Sequence, residues 1–198
     1  MRIRVGIREK ENIMGKTIGA IDALTAIALQ AVKEVIETNT KIPIHASSTV
    51  QRVPKVSMKP EIGCFVPFTG DYNGLVVMNF SAGAAMLLYR SYMMAMGLPE
   101  EDLAKEYTNV EVPDSIGEMI NQIMGKITKL TQDAFGLSAY CTQPKALALN
   151  SAIILTIDTD YRENRRLSFS INNERFYFEI AMETAEFIQH GEEMTGKE

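Results

Sequence analysis

Residues 114–125, DSIGEMINQIMG, place a carboxylate, a carboxamide and a glycine on one side of a predicted helix. At about 100° per residue, Glu118, Asn121 and Gly125 align at the i, i+3, i+7 spacing. The opposite side is apolar and consists of Ile116, Ile120, Ile123 and Ile127. A carboxylate can pair with a cation, and a carboxamide can both accept and donate hydrogen bonds. The polar side therefore offers an ion pair and hydrogen bonds to a partner.

A glycine in a helix interior costs about 1 kcal/mol relative to alanine. Gly125 on the polar side is therefore unfavourable for stability, but it would let another backbone approach closely. This pattern predicts a docking face. We assign partner docking to Asp114 and Gly125, at the two ends of the motif.

A purely structural interpretation of the same residues stays open. Ser115-x-x-Glu118 is a capping box, in which Ser115 would begin the helix and Glu118 would reach back to it. Alternatively, Pro113 could be the first helical residue, which would place Glu118 one turn further into the helix. The residues alone do not decide between capping and function.

Three helices and several strands must position this motif. Periodicity and punctuating residues predict helices at 16–37, 82–96 and 113–135, the second of them capped by Ser81 and the third ending near Gly136. Strands are predicted at 49–57, 62–68, 75–80, 143–149, 152–158, 167–172 and 175–181. Residues 70–74 and Asn172-Asn173 have the composition of hairpin turns.

The order of these elements predicts one domain at residues 15–188, preceded by an arm (1–14) and followed by a polar tail (189–198). Its halves, about 15–97 and 113–188, both run from a helix into three or more strands. They repeat in topology and not in identity. The first helix has Asp22-x-x-Thr25 where the second half has Glu118-x-x-Asn121, and threonine has no carboxamide, so we predict one site and a merely solvated Asp22.

Three segments together resemble the CheC/CheX/FliY family of chemotaxis phosphatases. Glu118-x-x-Asn121 resembles the family's active helix. Residues 48–81, which end in FTGDYNGLVVMNFS, resemble its central hairpin and the start of the helix that follows. Residues 141–147, CTQPKAL, resemble the strand that follows the active helix. The similarity spans roughly residues 17–187 and is closest to the single-site CheX type. It implies an α/β (α+β) sandwich, with a largely antiparallel sheet and two long helices packed on one face.

The resemblance also implies a function. The substrate would be the aspartyl phosphate of a CheY-like receiver domain, which carries its own Mg²⁺, so no metal or cofactor is expected on this chain. Asn121 would align the attacking water, and Glu118 would pair with a receiver lysine. A homodimer is implied as well, with edge pairing near residues 49–57 or 175–181. The alternatives are a non-catalytic binding module of the same fold and a structural dimerisation domain.

Composition excludes several other classes. A net charge of −5, a pI near 5.2 and the lack of a basic stripe argue against nucleic acid as the main partner. No secretion signal and no long apolar run are present, so a cytoplasmic location without membrane attachment is expected. Cys64 and Cys141 are expected to be small core residues of adjacent strands. His45 and His190 are too isolated for a metal site or a catalytic triad.

Overall fold

The computed structural model describes residues 16–151 and 161–189. Its helices are α1 (Ala20–Thr40), α2 (Ala82–Ala95) and α3 (Glu111–Phe135), with a short 3₁₀ turn at Glu100–Asp102. The cap at Ser81 is confirmed, since its side chain accepts a hydrogen bond from the backbone N–H of Ala84. The end of α3 at Gly136 is also confirmed, with the glycine in the left-handed conformation.

Within residues 16–151 and 161–189, ten strands form two sheets. The strands are β1 (Lys16–Gly19), β2 (His45–Ala46), β3 (Gln51–Arg52), β4 (Ile62–Gly70), β5 (Gly74–Phe80), β6 (Ala139–Cys141), β7 (Lys145–Ala148), β8 (Glu163–Ile171), β9 (Glu174–Met182) and β10 (Glu186–Gln189). The large sheet is antiparallel, in the order β2-β8-β9-β5-β4-β6, with β3 also pairing β8 and β7 also pairing β4. The small sheet pairs β1 with β10.

Both predicted hairpins are present, and their turns have the expected chemistry. Asn172 and Asn173 join β8 to β9 with φ values of 46° and 69°, which suits a tight turn between twisted strands. In the turn between β4 and β5, the Asn73 side chain accepts a hydrogen bond from the Gly70 N–H at 3.2 Å. These local turns set the register within the two hairpins, β4–β5 and β8–β9.

The three helices cover one face of the large sheet and enclose the main core. Strand β5 is buried along its whole length, and its side chains alternate between the two faces of the sheet, with Val76, Met78 and Phe80 in the main core. Across the strands, the rings of Phe169, Phe176 and Phe80 stack in one row, with centroids 5.1 and 5.4 Å apart. Helices α1 and α3 pack antiparallel, as the Lys126–Glu34 ion pair at 2.7 Å shows together with the Asn39–Gln122 hydrogen bond at 2.7 Å.

The predicted sandwich is therefore confirmed, and α2 adds a third helix to the two long ones. On the other face of the sheet, the described residues form a second, smaller apolar cluster that contains Val56 and Met58 from the segment 53–61 together with Leu75 and Val77. This segment is not the predicted strand. Of residues 49–57 only β3 is regular, because Pro54 cannot donate to a sheet and the chain turns across the sheet face.

Asn79 fastens that segment to the sheet. Its side chain is 2% exposed, accepts from the Lys59 N–H at 2.6 Å and donates to the Ser57 carbonyl at 3.0 Å. Asn79→Ala removes both bonds and leaves a buried donor and acceptor without partners. We expect a loss of about 2 kcal/mol in the free energy of unfolding, measured by denaturant titration against Gln132→Ala, an exposed amide side chain that forms no hydrogen bond in the described structure, as the control. An unchanged midpoint would show that the segment is held by its apolar contacts alone.

Two further predictions were wrong at their boundaries. Lys16–Gly19 is a strand and not the first turn of a helix, because it pairs with β10, whose buried Phe187 belongs to the main core. Gln189 likewise ends β10 and does not begin a tail. The predicted arm (1–14), the strand at 152–158 and the tail beyond Gln189 lie outside the described residues.

Candidate functional site

Helix α3 presents the predicted polar stripe to solvent. Asp114, Glu118, Asn121 and Gly125 are all exposed and follow one another along one side of the helix. The opposite stripe is buried, with exposed fractions of 1 to 4% at Ile116, Ile120, Ile123 and Ile127. The prediction that the isoleucines face the core and that Glu118 and Asn121 face solvent is confirmed.

The capping interpretation of Glu118 is wrong. Helix α3 begins at Glu111, so neither Ser115 nor Pro113 starts it. Ser115 is buried in the helix interior, and its hydroxyl donates to the Glu111 carbonyl at 2.7 Å. Within the described part of the chain, the side chains of Glu118 and Asn121 form no hydrogen bond and no ion pair. Both polar groups are therefore available to a partner.

The stripe forms one wall of a groove of about 350 Å³. The helix contributes Pro113, Asp114, Gly117, Glu118 and Asn121, and the opposite wall consists of Gln143, Pro144 and Ala146. Sequence reasoning missed this second wall because it placed Gln143 and Pro144 inside a strand at 143–149. The strand β7 begins only at Lys145, and the two residues lie between it and the short strand β6, which pairs with a different part of β4.

The interruption between β6 and β7 sets the shape of the groove. Thr142 donates its N–H to the Pro67 carbonyl at 3.0 Å, and Pro144, which has no N–H, follows within the break. The exposed Gln143 is thereby carried to the side of the groove opposite Asn121. Pro144, which is flanked by the polar residues Gln143 and Lys145, was the available signal for such a break.

Two glycines of α3 differ in what surrounds them. A Cβ added at Gly117 would lie 3.7 Å from the Ala146 side chain, an ordinary contact at the floor of the groove. A Cβ added at Gly125 would meet no atom within 4 Å. Nothing within the described structure therefore requires a glycine at position 125, and its docking role stays a prediction.

Hydrogen bonds from the other two helices hold α3 in its rotational setting. Gln122, next to Asn121, accepts from the Asn39 amide at 2.7 Å and donates to the Tyr92 hydroxyl at 3.3 Å. Further along, the ammonium of Lys126 pairs with Glu34 and lowers the pKa of that carboxyl below its ordinary value. These contacts link α1, α2 and α3 and keep the polar stripe directed outward.

The corresponding side of α1 is occupied by an ion pair. Asp22 lies 3.1 Å from both Nε and one terminal nitrogen of Arg165, whose side chain is 7% exposed. The prediction of a merely solvated Asp22 was wrong, because Arg165 of β8 forms an ion pair with it. Thr25 is buried and donates to the Ile21 carbonyl. Neither residue resembles the available pair on α3.

The cysteine and histidine side chains of the described residues form no reactive site. Cys64 on β4 and Cys141 on β6 lie on adjacent strands, as predicted, and burial raises their pKa values to about 12 and about 11. Both thiols are therefore protonated at neutral pH, which suits packing better than catalysis. His45 is on β2, and His190 lies outside the described residues.

In residues 16–151 and 161–189, no three His, Cys, Asp or Glu side chains cluster as metal ligands, and no helix has the length and apolarity to cross a membrane.

A family model described as "Protein of unknown function (DUF3334)" matches residues 15–198. No curated protein matches the sequence. Among solved structures, the chemotaxis protein CheX of Vibrio vulnificus is similar with a TM-score of 0.68 and 14% identity, over 81% of this chain and 99% of that one.

Two further structures extend the comparison. The CheX–CheY–BeF₃–Mg²⁺ complex of Borrelia burgdorferi matches with a TM-score of 0.59 and 16% identity, over 80% of this chain and 97% of that one. FliY of Thermotoga maritima matches with a TM-score of 0.56 and 19% identity, over 81% and 87%. At these identities the similarity establishes a common fold, and it confirms the resemblance predicted from the three sequence segments.

Proposed function

We propose that this chain, which belongs to the DUF3334 family, is a phosphatase for the aspartyl phosphate of a CheY-like receiver domain. The observation that carries the proposal is the pair Glu118 and Asn121, exposed one turn apart on α3 without an intramolecular partner in the described structure. Support comes from the fold, which is similar to that of a CheX solved in complex with CheY.

The proposed chemistry needs little from the chain besides positioning. An aspartyl phosphate is an acyl phosphate, so hydrolysis joins a water oxygen to phosphorus while the bond from phosphorus to the aspartate oxygen breaks. The receiver regains its carboxylate, and inorganic phosphate with the proton of the water is released. The oxygen of the Asn121 carboxamide would accept one hydrogen of the attacking water, and its NH₂ group would donate to the phosphoryl group. The Mg²⁺ belongs to the receiver.

The charge of the groove fits a cationic group of the partner. Asp114 and Glu118 are the ionisable residues among those that line it, and both are acidic. Glu118 would pair with a receiver lysine and set the register of docking, with Asp114 as a second acidic contact. Gly125, with open space above it, would admit the receiver's backbone. Gln143 and Pro144 would contact the receiver from the opposite wall.

The test is phosphate release from a panel of receiver domains charged with acetyl phosphate. We expect the chain to accelerate release from at least one receiver, at protein concentrations far below that of the receiver. Receivers with their phosphorylated aspartate replaced serve as blanks. Binding of a charged receiver without any acceleration would leave the non-catalytic binding module as the function, and no binding by any receiver would contradict the proposal.

We also propose a homodimer in the cytoplasm, where receiver domains act. Of the two edges predicted for pairing, residues 175–181 are excluded because β9 lies between β8 and β5 inside the sheet. Strand β3, within residues 49–57, lies at a sheet edge, so pairing through it stays the proposal. Light scattering should give twice the chain mass of 22.1 kDa. The mass of a single chain throughout the micromolar range would contradict it.

A further inference from the structure

The sheet face that the helices do not cover has an organised polar surface at its β8 end. Directly paired residues of neighbouring strands lie on the same face of a sheet. One row across the strands is Gln51, Arg166 and Glu179, and the next is Ser168, Tyr177 and Asn79. A third row is His45, Ser170 and Arg175. Outside the small apolar cluster, these rows therefore consist of hydroxyl, amide and basic groups together with one carboxylate, that of Glu179.

These rows form a shallow groove of about 780 Å³. Its lining residues are His45, Ala46, Ser47, Gln51, Lys59, Arg166, Ser168, Phe169, Ser170, Arg175 and Tyr177. The set includes three cationic side chains and no acidic one, although the whole chain has a net charge of −5. We call it the basic groove. A concavity lined by basic residues raises the local concentration of anionic ligands, even on a protein whose net charge is negative.

The cations of the basic groove differ in how they are held. Arg166 is fixed, with Nε and a terminal nitrogen 2.8 and 2.7 Å from the fully buried carboxylate of Glu179, and its guanidinium lies 5.7 Å from the centre of the Tyr177 ring. Glu179 neutralises this one charge. In the described part of the chain, Lys59 and Arg175 form no ion pair, so their charges are uncompensated. The groove thus offers one oriented donor and two unpaired cations.

We propose that the basic groove binds an acidic peptide segment of a partner protein, in extended conformation along β8. Arg166 and Ser170 are four residues apart on one strand, and Arg175 is paired with Ser170. At about 3.4 Å per residue the Cα atoms of Arg166 and Ser170 are roughly 14 Å apart. An extended peptide with carboxylates four residues apart has the same spacing along its chain, whereas a single phosphate is much smaller than this distance. Ser168 and Tyr177 lie between these two positions and can donate hydrogen bonds to the peptide backbone.

This site is separate from the α3 groove. The α3 groove lies against β7, and the basic groove lies on β8 and β9 on the face away from the helices. In the sheet order, β8 and β7 are separated by β9, β5 and β4, which corresponds to roughly 19 Å at the usual strand spacing. A receiver on α3 and an acidic segment in the basic groove could therefore bind at the same time, and the two proposals can fail independently.

The test uses the full chain and fluorescein-labelled hexaglutamate, followed by fluorescence anisotropy at low and moderate salt. We expect saturable binding that weakens with salt, and a loss of at least about tenfold in affinity for the double variant Lys59→Glu/Arg175→Glu. The matched control is Lys105→Glu/Lys129→Glu, which changes the net charge equally at two exposed lysines outside the groove and should alter affinity less than about threefold. Thermal unfolding of each variant shows whether it is folded, which excludes misfolding as the cause of lost binding. A second double variant, Lys59→Gln/Arg175→Gln, removes the charges without reversing them and is expected to weaken binding to a smaller extent.

Three results would overturn the proposal. The first is no binding of hexaglutamate to the wild-type chain at low salt. The second is an equal loss in the groove variant and the matched control, which would show only a response to net charge. The third is displacement of the peptide by equimolar inorganic phosphate or pyrophosphate, which would identify a site for small anions. Phosphate release from receivers should be the same for the groove variant and the wild type.

Discussion

Asn121→Ala is expected to abolish accelerated dephosphorylation of the receiver while leaving receiver binding nearly unchanged. The substitution removes the carboxamide that would align water, but little contact area, because Asn121 is exposed and has no partner within the described structure. Loss of orientation in a reaction governed by positioning is worth about 100-fold or more in rate. Single-turnover phosphate release at saturating phosphatase measures it, with affinity determined separately for the receiver charged with beryllium fluoride.

The controls separate chemistry from structure. Lys129→Ala changes another exposed residue of α3 outside the groove and should keep the wild-type rate. Asn121→Asp keeps the shape but replaces the NH₂ donor by a second oxygen with negative charge, so it should be as slow as Asn121→Ala. Equal release rates for the wild type and Asn121→Ala, on a receiver that binds both, would leave only a non-catalytic function for this face.

Glu118→Lys is expected to weaken receiver binding by about 100-fold, because it replaces an ion pair by like charges facing each other at the docking contact. Glu118→Ala should weaken binding less, by about tenfold, since it removes the attraction without adding repulsion. Isothermal titration of each variant with the receiver charged with beryllium fluoride measures the difference. The order wild type, alanine, lysine in decreasing affinity is the result expected for a lysine on the receiver.

Stability measurements distinguish this role from helix capping. Glu118 is exposed, lies well inside α3 and does not bond to the helix start, so Glu118→Ala should change the free energy of unfolding by less than about 0.5 kcal/mol. A cap residue would cost about 1 kcal/mol instead. Affinities that are the same for the wild type, Glu118→Ala and Glu118→Lys would remove Glu118 from the docking surface.

Much of the framework around this site follows from local sequence. The isoleucine stripe of α3 repeats at the helical period over several turns, so its buried side, and with it the exposure of Glu118 and Asn121, could be predicted before any contact was known. The Ser81 cap and the Asn172-Asn173 turn are equally local, because each depends on the conformational preferences of one or two residues. Periodicity and turn chemistry are interactions within a few residues, which is why they can be read directly.

Only the tertiary structure decided which distant segments meet the α3 stripe and the outer face of the sheet. Lys16–Gly19 is a strand because β10 pairs with it, and Arg165 reaches Asp22 from the other half of the chain. The β6–β7 break that places Gln143 opposite Asn121 depends on pairing with β4. The basic groove likewise brings Lys59, from the segment after β3, together with Arg175 of β9. Strand pairing and charge placement depend on residues that are far apart in sequence, and local sequence patterns do not specify which of these residues come together.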